Sequence, residues 1–407
     1  MAVIAVLGTL DTKGQEHAFV ADAIRSRGHD VLLIDVGSDQ LPAVEPDISR
    51  EEVAQAASLD WRTISARHDR GECVSAMSLA APELLSRFVH ERRIDGVISL
   101  GGGGGTAIAT AAMRCLPVGF PKVMVSTLAS GNTAHYLGTK DIVMIPSVVD
   151  VAGLNRISRR IFAQAAGAIC GMVETELDES AAKPLIVASM FGNTTQCIDK
   201  AIPALEKAGY EVLVFHATGA GGRAMESLIR DGLVDGVLDV TTTEWADELV
   251  GGVLSAGPDR LDAAALAGVP AIVAPGCLDM ANFGERSTLP PKFEGRNLYI
   301  HNPQVTLMRT NKAECRELGR ILAEKVNRYT APVTVLLPLQ GVSVISAPGQ
   351  PFYDPAADAA LFDSLTENLD ESIAIRRIDA NINDEEFARA CTQSLLQNIH
   401  AHQPSTV

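Results

Sequence analysis

Asp95-Gly-Val-Ile-Ser-Leu-Gly-Gly-Gly-Gly-Gly-Thr-Ala-Ile-Ala-Thr-Ala-Ala-Met113 sets five consecutive glycines, Gly101, Gly102, Gly103, Gly104 and Gly105, between an apolar run and a segment of helical composition. The order predicts a strand, a bare backbone loop and a helix start. Without a Cβ, glycine lets peptide N–H groups approach a phosphate closely, and the N-terminus of the following helix adds partial positive charge. An anion is therefore the first expected ligand. The same run also suits a tight turn that only packs strand against helix, and a glycine-rich loop by itself does not separate the two.

The bulk properties narrow the classes. At 407 residues the chain exceeds the usual size of one core, so two domains are expected. Hydrophobic residues at 47% and charged residues at 21% are those of a globular protein. The net charge of −16 argues against general nucleic-acid affinity, which rests on clustered Lys and Arg, and leaves room for a local anion pocket. Met1-Ala-Val-Ile-Ala-Val-Leu7 runs directly into a strand-like segment without a basic leader, and no apolar stretch reaches spanning length, so the expectation is a cytoplasmic protein without membrane contact. The seven cysteines are scattered without metal-knuckle or redox-pair spacing and read as reduced, packed thiols.

The two halves resemble each other. Val3-Ile-Ala-Val-Leu-Gly8, a polar turn, a helix to Gly28 and Asp30-Val-Leu-Leu-Ile-Asp35 recur as Leu185-Ile-Val-Ala-Ser189, Gly192-Asn-Thr-Thr195, a helix to Gly209 and Glu211-Val-Leu-Val-Phe215. Ile94-Asp-Gly-Val-Ile98 then pairs with Val234-Asp-Gly-Val-Leu238, and Phe120-Pro-Lys-Val-Met-Val125 with Val269-Pro-Ala-Ile-Val-Ala274. A polar, helix-rich insertion from about Ser38 to Leu84 lengthens the first half. Short apolar strands alternating with helical segments predict an α/β chain of two doubly wound, mainly parallel sheets related by internal duplication, over residues 1–180 and 181–407. The junction falls in the acidic stretch from Glu174 to Lys183, after a helix from about Val148 to Met172. Further elements are expected as a helix around Lys312 to Tyr329, a strand at Val333 to Leu337, a helix around Ala356 to Leu369, a strand at Ile373 to Ile378 and a helix at Asp384 to Ile399. These give the second half the larger sheet.

Ligands of such sheets lie beyond the carboxyl ends of the strands. The loop Gly8-Thr-Leu-Asp-Thr-Lys-Gly14 puts Asp11 and Lys13 at the start of the first helix beside Thr9 and Thr12. Lys13 can meet a phosphate as a point charge and Asp11 can hold Mg²⁺, whereas an ordinary helix cap would use Asp11 or Thr12 and leave Lys13 in solvent. Lysine in a first turn opposes the macrodipole, which favours the functional reading. Neither the Walker spacing nor the dinucleotide fingerprint is present. The run Ser99 to Ala107, Thr106 included, resembles in outline the Gly-Gly-Asp-Gly-Thr loop of diacylglycerol, NAD and sugar kinases but lacks its aspartate. A third loop, Ser126 to Gly138, offers Ser130, Gly131, Asn132 and His135, the last a candidate acid or base or a histidine bonded to backbone. In the second half, Asp279, Asn282, Glu285, Arg286, His301, Asn302 and Arg309 form a polar cluster, and Thr241-Thr-Thr-Glu244 replaces the glycine loop.

Five separated segments carry a family resemblance: Gly8 to Gly14, Gly101 to Thr106, His301 to Thr310, Pro338-Leu-Gln-Gly-Val-Ser343 and Phe352 to Asp363. In order and over nearly the whole chain, they resemble a largely uncharacterised family of bacteria, fungi and plants typified by the ATP-binding N-terminal region of the tomato mosaic virus resistance protein. The resemblance implies two Rossmann-like domains, an ATP site at the glycine-rich loops, a homodimer and a TIM-barrel partner protein. Joined to the residues, it leads to an expected ATP-binding protein, an enzyme using Mg-ATP on a small polar metabolite in the interdomain cleft. There Lys13 and Gly101 to Gly105 hold phosphates, Asp11 organises the metal and Ser130, Gly131 and Asn132 close the site. Two alternatives stand beside it: a nucleotide-regulated binding protein without turnover, and an ATP-independent lyase or hydrolase with His301 or Glu285 as base.

Overall fold

The computed structural model describes residues 1–38, 40–176 and 182–402 and divides the chain into two compact units, Met1–Glu179 and Ser180–Val407. Residues 177–181, within the acidic stretch expected to join the halves, lie outside the described residues.

The first unit is built on strands β1 (Val3–Gly8), β2 (Asp30–Asp35), β3 (Gly96–Gly101), β4 (Lys122–Ser126) and β5 (Val143–Pro146). They pair in parallel in the order β2-β1-β3-β4-β5, so the winding direction reverses between β1 and β3. All six residues of β3 are buried, which is why its sequence shows an unbroken apolar run rather than an alternation. On one face Ile4, Val6, Ile98 and Val123 meet Val20, Ile24, Phe162 and Ile169 from helices Leu10–Arg25 and Arg156–Glu174. On the other, Ala5, Leu7, Val97 and Met124 meet Leu84, Phe88, Ile108 and Met113 from helices Arg70–His90 and Gly103–Arg114. Each large side chain so buried contributes about 1.5–3 kcal/mol. The expected insertion supplies two short helices, Arg50–Ala56 and Trp61–Ser65, ahead of the long one.

One helix starts later than its composition suggests. The segment expected to be helical from about Val148 begins at Arg156, where Asn155 accepts from the amides of Ile157 and Ser158 (2.9 Å each) while Ser158 Oγ accepts from the Asn155 amide (2.8 Å). This reciprocal cap sets the start. Upstream, Val148 lies at φ +62°, a conformation that β-branched residues rarely adopt, so the chain there cannot continue a helix.

The second unit repeats the winding with one more strand. Strands β6 (Leu185–Met190), β7 (Glu211–His216), β8 (Gly236–Thr241), β9 (Ala271–Gly276), β13 (Val333–Pro338) and β14 (Ala374–Ile378) form a six-stranded parallel sheet, in the order β14-β13-β9-β8-β6-β7. Read from β7, it matches the first sheet from β2 onward. The antiparallel sheet between β9 and β13 departs from the sequence reading: β10 (Met280–Phe283), β12 (Val305–Arg309) and β11 (Leu298–Asn302) occupy the region read there as a polar loop cluster. The strands are short and β11 is largely exposed, so their side chains look like loop side chains. No helix among the described residues is long and apolar enough to cross a membrane.

Candidate functional site

At the reversal between β1 and β3, two loops leave the carboxyl edge side by side. They are fastened to each other from beneath by His17, a residue with no exposed surface. Its Nδ1 donates to the Lys13 carbonyl (2.7 Å) and its Nε2 accepts from the Leu100 amide (3.4 Å), a tautomer set by these two partners. Burial lowers the pKa of this ring, which stays neutral. The imidazole lies directly under Gly8, where a Cβ would come within 2.2 Å of Nε2, so that position must be glycine. Lys13 itself breaks helical geometry (φ −135°, ψ 28°), and its ammonium donates to the Val151 carbonyl. Asp11 accepts from the Ser38 amide (2.9 Å), while the Thr12 hydroxyl donates to that of Thr9 (3.1 Å).

The helix Gly103–Arg114 begins inside the glycine run. Gly102 takes the cap position, with no side-chain cap among the described residues and no acidic residue in the first turn. A Cβ built at Gly103 meets nothing within 4 Å, so the first turn faces open space. Beside it stands Arg70, whose guanidinium lies 3.9 Å from a Cβ built at Gly104. Helix dipole, bare amides and a guanidinium together gather positive charge at this edge. Behind it, Thr106 and Ser126 share a buried hydrogen bond (2.7 Å) that ties the helix to β4.

The edge also resolves what it does not bind by the usual route. In dinucleotide folds an acidic residue at the end of the second strand takes a ribose hydroxyl. Here that residue, Asp35, is buried and already accepts from the amides of Leu10 (3.1 Å) and Gly37 (2.8 Å) and from Arg50 Nε (2.7 Å).

From β4 and β5 a cavity of about 390 Å³ opens, lined by Ser126, Thr127, Ser130, Ser147, Val148 and Asp150. Thr127 joins it to the glycine loop: its amide donates to the Gly101 carbonyl (3.2 Å), and its hydroxyl lies 3.8 Å from a Cβ built at Gly102. Asn132 accepts from the Ala134 amide (3.1 Å), Gly131 donates to Leu128, and His135 is exposed against the Tyr136 ring (3.9 Å between centroids). Ser130 thus faces the cavity, whereas Gly131, Asn132 and His135 are not among its lining residues. Among the described residues no group of three or more His, Cys, Asp or Glu side chains gathers to hold a metal ion. Mg²⁺ needs only one or two carboxylates besides water and phosphate oxygens, so Asp11 fits that mode as a single ligand.

The second unit has closed the corresponding edge. Thr241, Thr242 and Thr243, in the place of the glycine loop, have no exposed surface; their hydroxyls bond Thr194 (2.8 Å), the Ala274 carbonyl (3.1 Å) and the Met280 carbonyl (3.3 Å). Beneath them Arg260, 1% exposed, reaches three carboxylates: Asp239 through two nitrogens (2.5 and 2.7 Å), Glu244 (2.7 Å) and Glu226 (3.2 Å). Burial works against the guanidinium's charge, and Asp239, Glu244 and Glu226 more than offset it. Glu244 also accepts from the amides of Gly219 (2.7 Å) and Gly222 (3.1 Å) at the start of helix Ala220–Arg230, a built-in anion on that helix terminus. Of the polar cluster expected nearby, Asp279, Asn282 and Arg309 are buried while Glu285, Arg286, His301 and Asn302 are exposed, so the structure does not gather them into one pocket.

Asp247 gives this closed edge a pH dependence. It has no exposed surface and accepts from Asn282 Nδ2 (2.8 Å) and from the amides of Asn282 (3.0 Å) and Leu254 (3.2 Å). Burial pushes its carboxyl from 3.8 up to about 7, against those hydrogen bonds. With the folded pKa above the unfolded one, its contribution to stability is complete below the unfolded value and is lost as pH rises through about 7. Asp247→Asn, which keeps the shape without the charge, is expected to raise the melting temperature at about pH 8 and to reduce its fall between about pH 5 and pH 8. Thermal unfolding followed at both pH values checks this, and an unchanged fall contradicts it.

Two residues of the first edge escape a reading of the sequence. His17 appears as an ordinary helical residue, and only the glycine at position 8 hints that a ring lies below it. Arg70 has no local signal, because the fold alone carries it across from the insertion to the glycine loop.

Comparison with known proteins follows the same two-unit division. Residues 2–178 match the model of the N-terminal domain of the uncharacterised protein family UPF0261, and residues 183–399 match that of its C-terminal domain. A UPF0261 protein of Clostridium tetani is 51% identical over 395 residues, covering 97% of this chain and 98% of that protein. The tomato ToMV resistance protein Tm-1 is 40% identical over 414 residues, covering 96% of this chain and 55% of the tomato protein. Among solved structures, UDP-N-acetylglucosamine 2-epimerase from Rickettsia bellii is 11% identical over 67% of this chain and 78% of that one, with a TM-score of 0.25. The chain belongs to the UPF0261 family.

Proposed function

We propose that the first unit binds ATP, as Mg-ATP, at the carboxyl edge of its sheet, and that the protein uses it on a small polar metabolite. The observation that carries this is the uncapped helix start at Gly103, open to solvent and flanked by a guanidinium. Amides of Gly103 to Gly105 would receive phosphate oxygens, and Arg70 would neutralise charge beside them. Lys13 keeps one donor on the Val151 carbonyl and has two more to offer a phosphate across the neighbouring loop. Asp11 would be the protein's ligand to the magnesium ion. The bound ion would screen the phosphates and polarise the terminal one.

The metabolite fits the adjoining cavity. Its Ser126, Thr127, Ser130 and Ser147 hydroxyls suit a polar molecule, and Thr127 places it next to the loop. Such a site works mainly by positioning and charge neutralisation, which needs no protein nucleophile. The resemblance to the tomato resistance protein's N-terminal region, which implies an ATP site, supports the choice of nucleotide. Isothermal titration of nucleotide-free protein with ATP, with and without Mg²⁺, tests it. Saturable binding that Mg²⁺ strengthens is expected; absence of heat in both titrations contradicts the reading.

A further inference from the structure

Three of the segments that carry the family resemblance play no part in the nucleotide site, and in the second unit they meet. The chain after β13 (Leu339 to Ser346) and the start of helix Pro355–Asn368 enclose a cavity of about 270 Å³ with Gln340, Gly341, Tyr353, Asp358, Asp363 and Arg377 in its wall. The third segment supports it from behind through Arg309. That guanidinium is 4% exposed and donates to Asp358 Oδ1 (2.5 Å), to the Phe352 carbonyl (2.8 Å) and to Thr310 Oγ1 (3.0 Å). Asp358, itself 8% exposed, is thereby held rigid with its carboxylate in the cavity wall.

The backbone on the opposite side is kept bare. Gly341 has φ +124°, where a side chain is strained, and a Cβ there would meet Asn381 Nδ2 at 2.8 Å and Ser346 Oγ at 3.1 Å. The cavity lies beyond the carboxyl end of β13, where ligands of parallel sheets bind, and its volume, just under the roughly 300 Å³ at which drug-sized pockets begin, restricts it to a small molecule.

We infer that this cavity binds an uncharged, monosaccharide-sized polyol. The charges select against ions of either sign. Asp358 is compensated by its ion pair with Arg309 (2.5 Å), which leaves Asp363 to oppose an anion and Arg377, whose Nη2 bonds Thr366 Oγ1 (3.0 Å), to oppose a cation. Arg309 does not tip the balance toward anions, because its charge is matched by Asp358 at 2.5 Å and the residue is 4% exposed. Acceptors on Asp358 and Asp363, the Gln340 amide and the guanidinium of Arg377 together match hydroxyl groups, which both donate and accept. The half-exposed Tyr353 ring and buried Phe362 give an apolar wall for the C–H face of such a molecule.

The test titrates the intact protein, free of nucleotide, with uncharged probes (glucose, ribose and erythritol) and with charged ones (glycine, citrate and spermidine), reading binding by ligand-observed NMR and calorimetry. At least one polyol is expected to bind saturably, with affinity reduced by about tenfold in Tyr353→Ala and in Asp363→Asn. Both residues are exposed, so these variants keep the fold, which their melting curves verify. Binding by charged probes only, binding by none, or polyol binding unmoved by both substitutions would overturn the inference. None of these outcomes bears on ATP in the first unit.

Discussion

Arg260→Met should lower the stability of the second unit by about 3–5 kcal/mol, because it removes the cation that, among the described residues, pairs with the buried carboxylates of Asp239, Glu244 and Glu226. At roughly 2–4 °C per kcal/mol for a unit of this size, the melting temperature falls by about 10 °C. The deficit has a signature that simple loss of packing lacks. The orphaned carboxylates take up protons, so the loss shrinks as pH falls toward about 5. Arg260→Lys should recover only part, since one ammonium cannot replace two nitrogens on Asp239 and a third on Glu244. The chain's two tryptophans lie one in each unit, Trp61 and Trp245, so urea unfolding of single-tryptophan variants follows each unit separately. A loss below about 1 kcal/mol, or one independent of pH, contradicts the account of this cluster.

The second large effect concerns binding rather than stability. Gly103→Asp sets a carboxylate at the first turn of helix Gly103–Arg114, where its Cβ meets nothing within 4 Å. An acid at this end of a helix is favourable, so the melting temperature should hold or rise slightly. A phosphate brought to the same amides meets that negative charge at close range, and ATP affinity should fall by about two orders of magnitude. Arg70→Ala removes one charge from the rim and should cost about tenfold. Calorimetry on folded variants separates the two effects. Unchanged ATP affinity in Gly103→Asp would move the nucleotide elsewhere.

Much of the fold was legible because parallel strands covered on both faces must be apolar throughout. The runs at Val3, Gly96 and Lys122, and their partners in the second half, announce themselves without any tertiary information, and the edge strands at Asp30 and Glu211 keep an apolar centre although they are less covered. The antiparallel sheet did not, since β11 is five residues long and mostly exposed, and the hydrophobic signal of β12 is interrupted by Thr306 and Arg309. Val148 to Leu154 has a composition compatible with helix; the cap at Asn155 and the left-handed Val148 decide otherwise, and both act through backbone geometry that composition does not encode.

The glycine loop and Lys13 could be singled out from the chain because their chemistry is local. Arg70, His17 and Arg260 could not. An arginine in Gly257-Pro-Asp-Arg260 looks like a surface residue until the fold delivers three carboxylates to it. That same cluster explains how the duplicated halves have diverged. Where the first unit leaves a helix terminus open between loops, the second fills its edge with threonine hydroxyls and places its own Glu244 carboxylate on a helix start.

The most direct test of this asymmetry compares ATP titrations of Gly103→Asp and Gly192→Asp with the unaltered protein. A Cβ at Gly192, in the first loop of the second unit, also meets nothing within 4 Å, so both variants should fold alike. The account predicts that Gly103→Asp weakens ATP binding by about two orders of magnitude while Gly192→Asp leaves it intact; loss in Gly192→Asp with retention in Gly103→Asp would place the nucleotide in the second unit and contradict it.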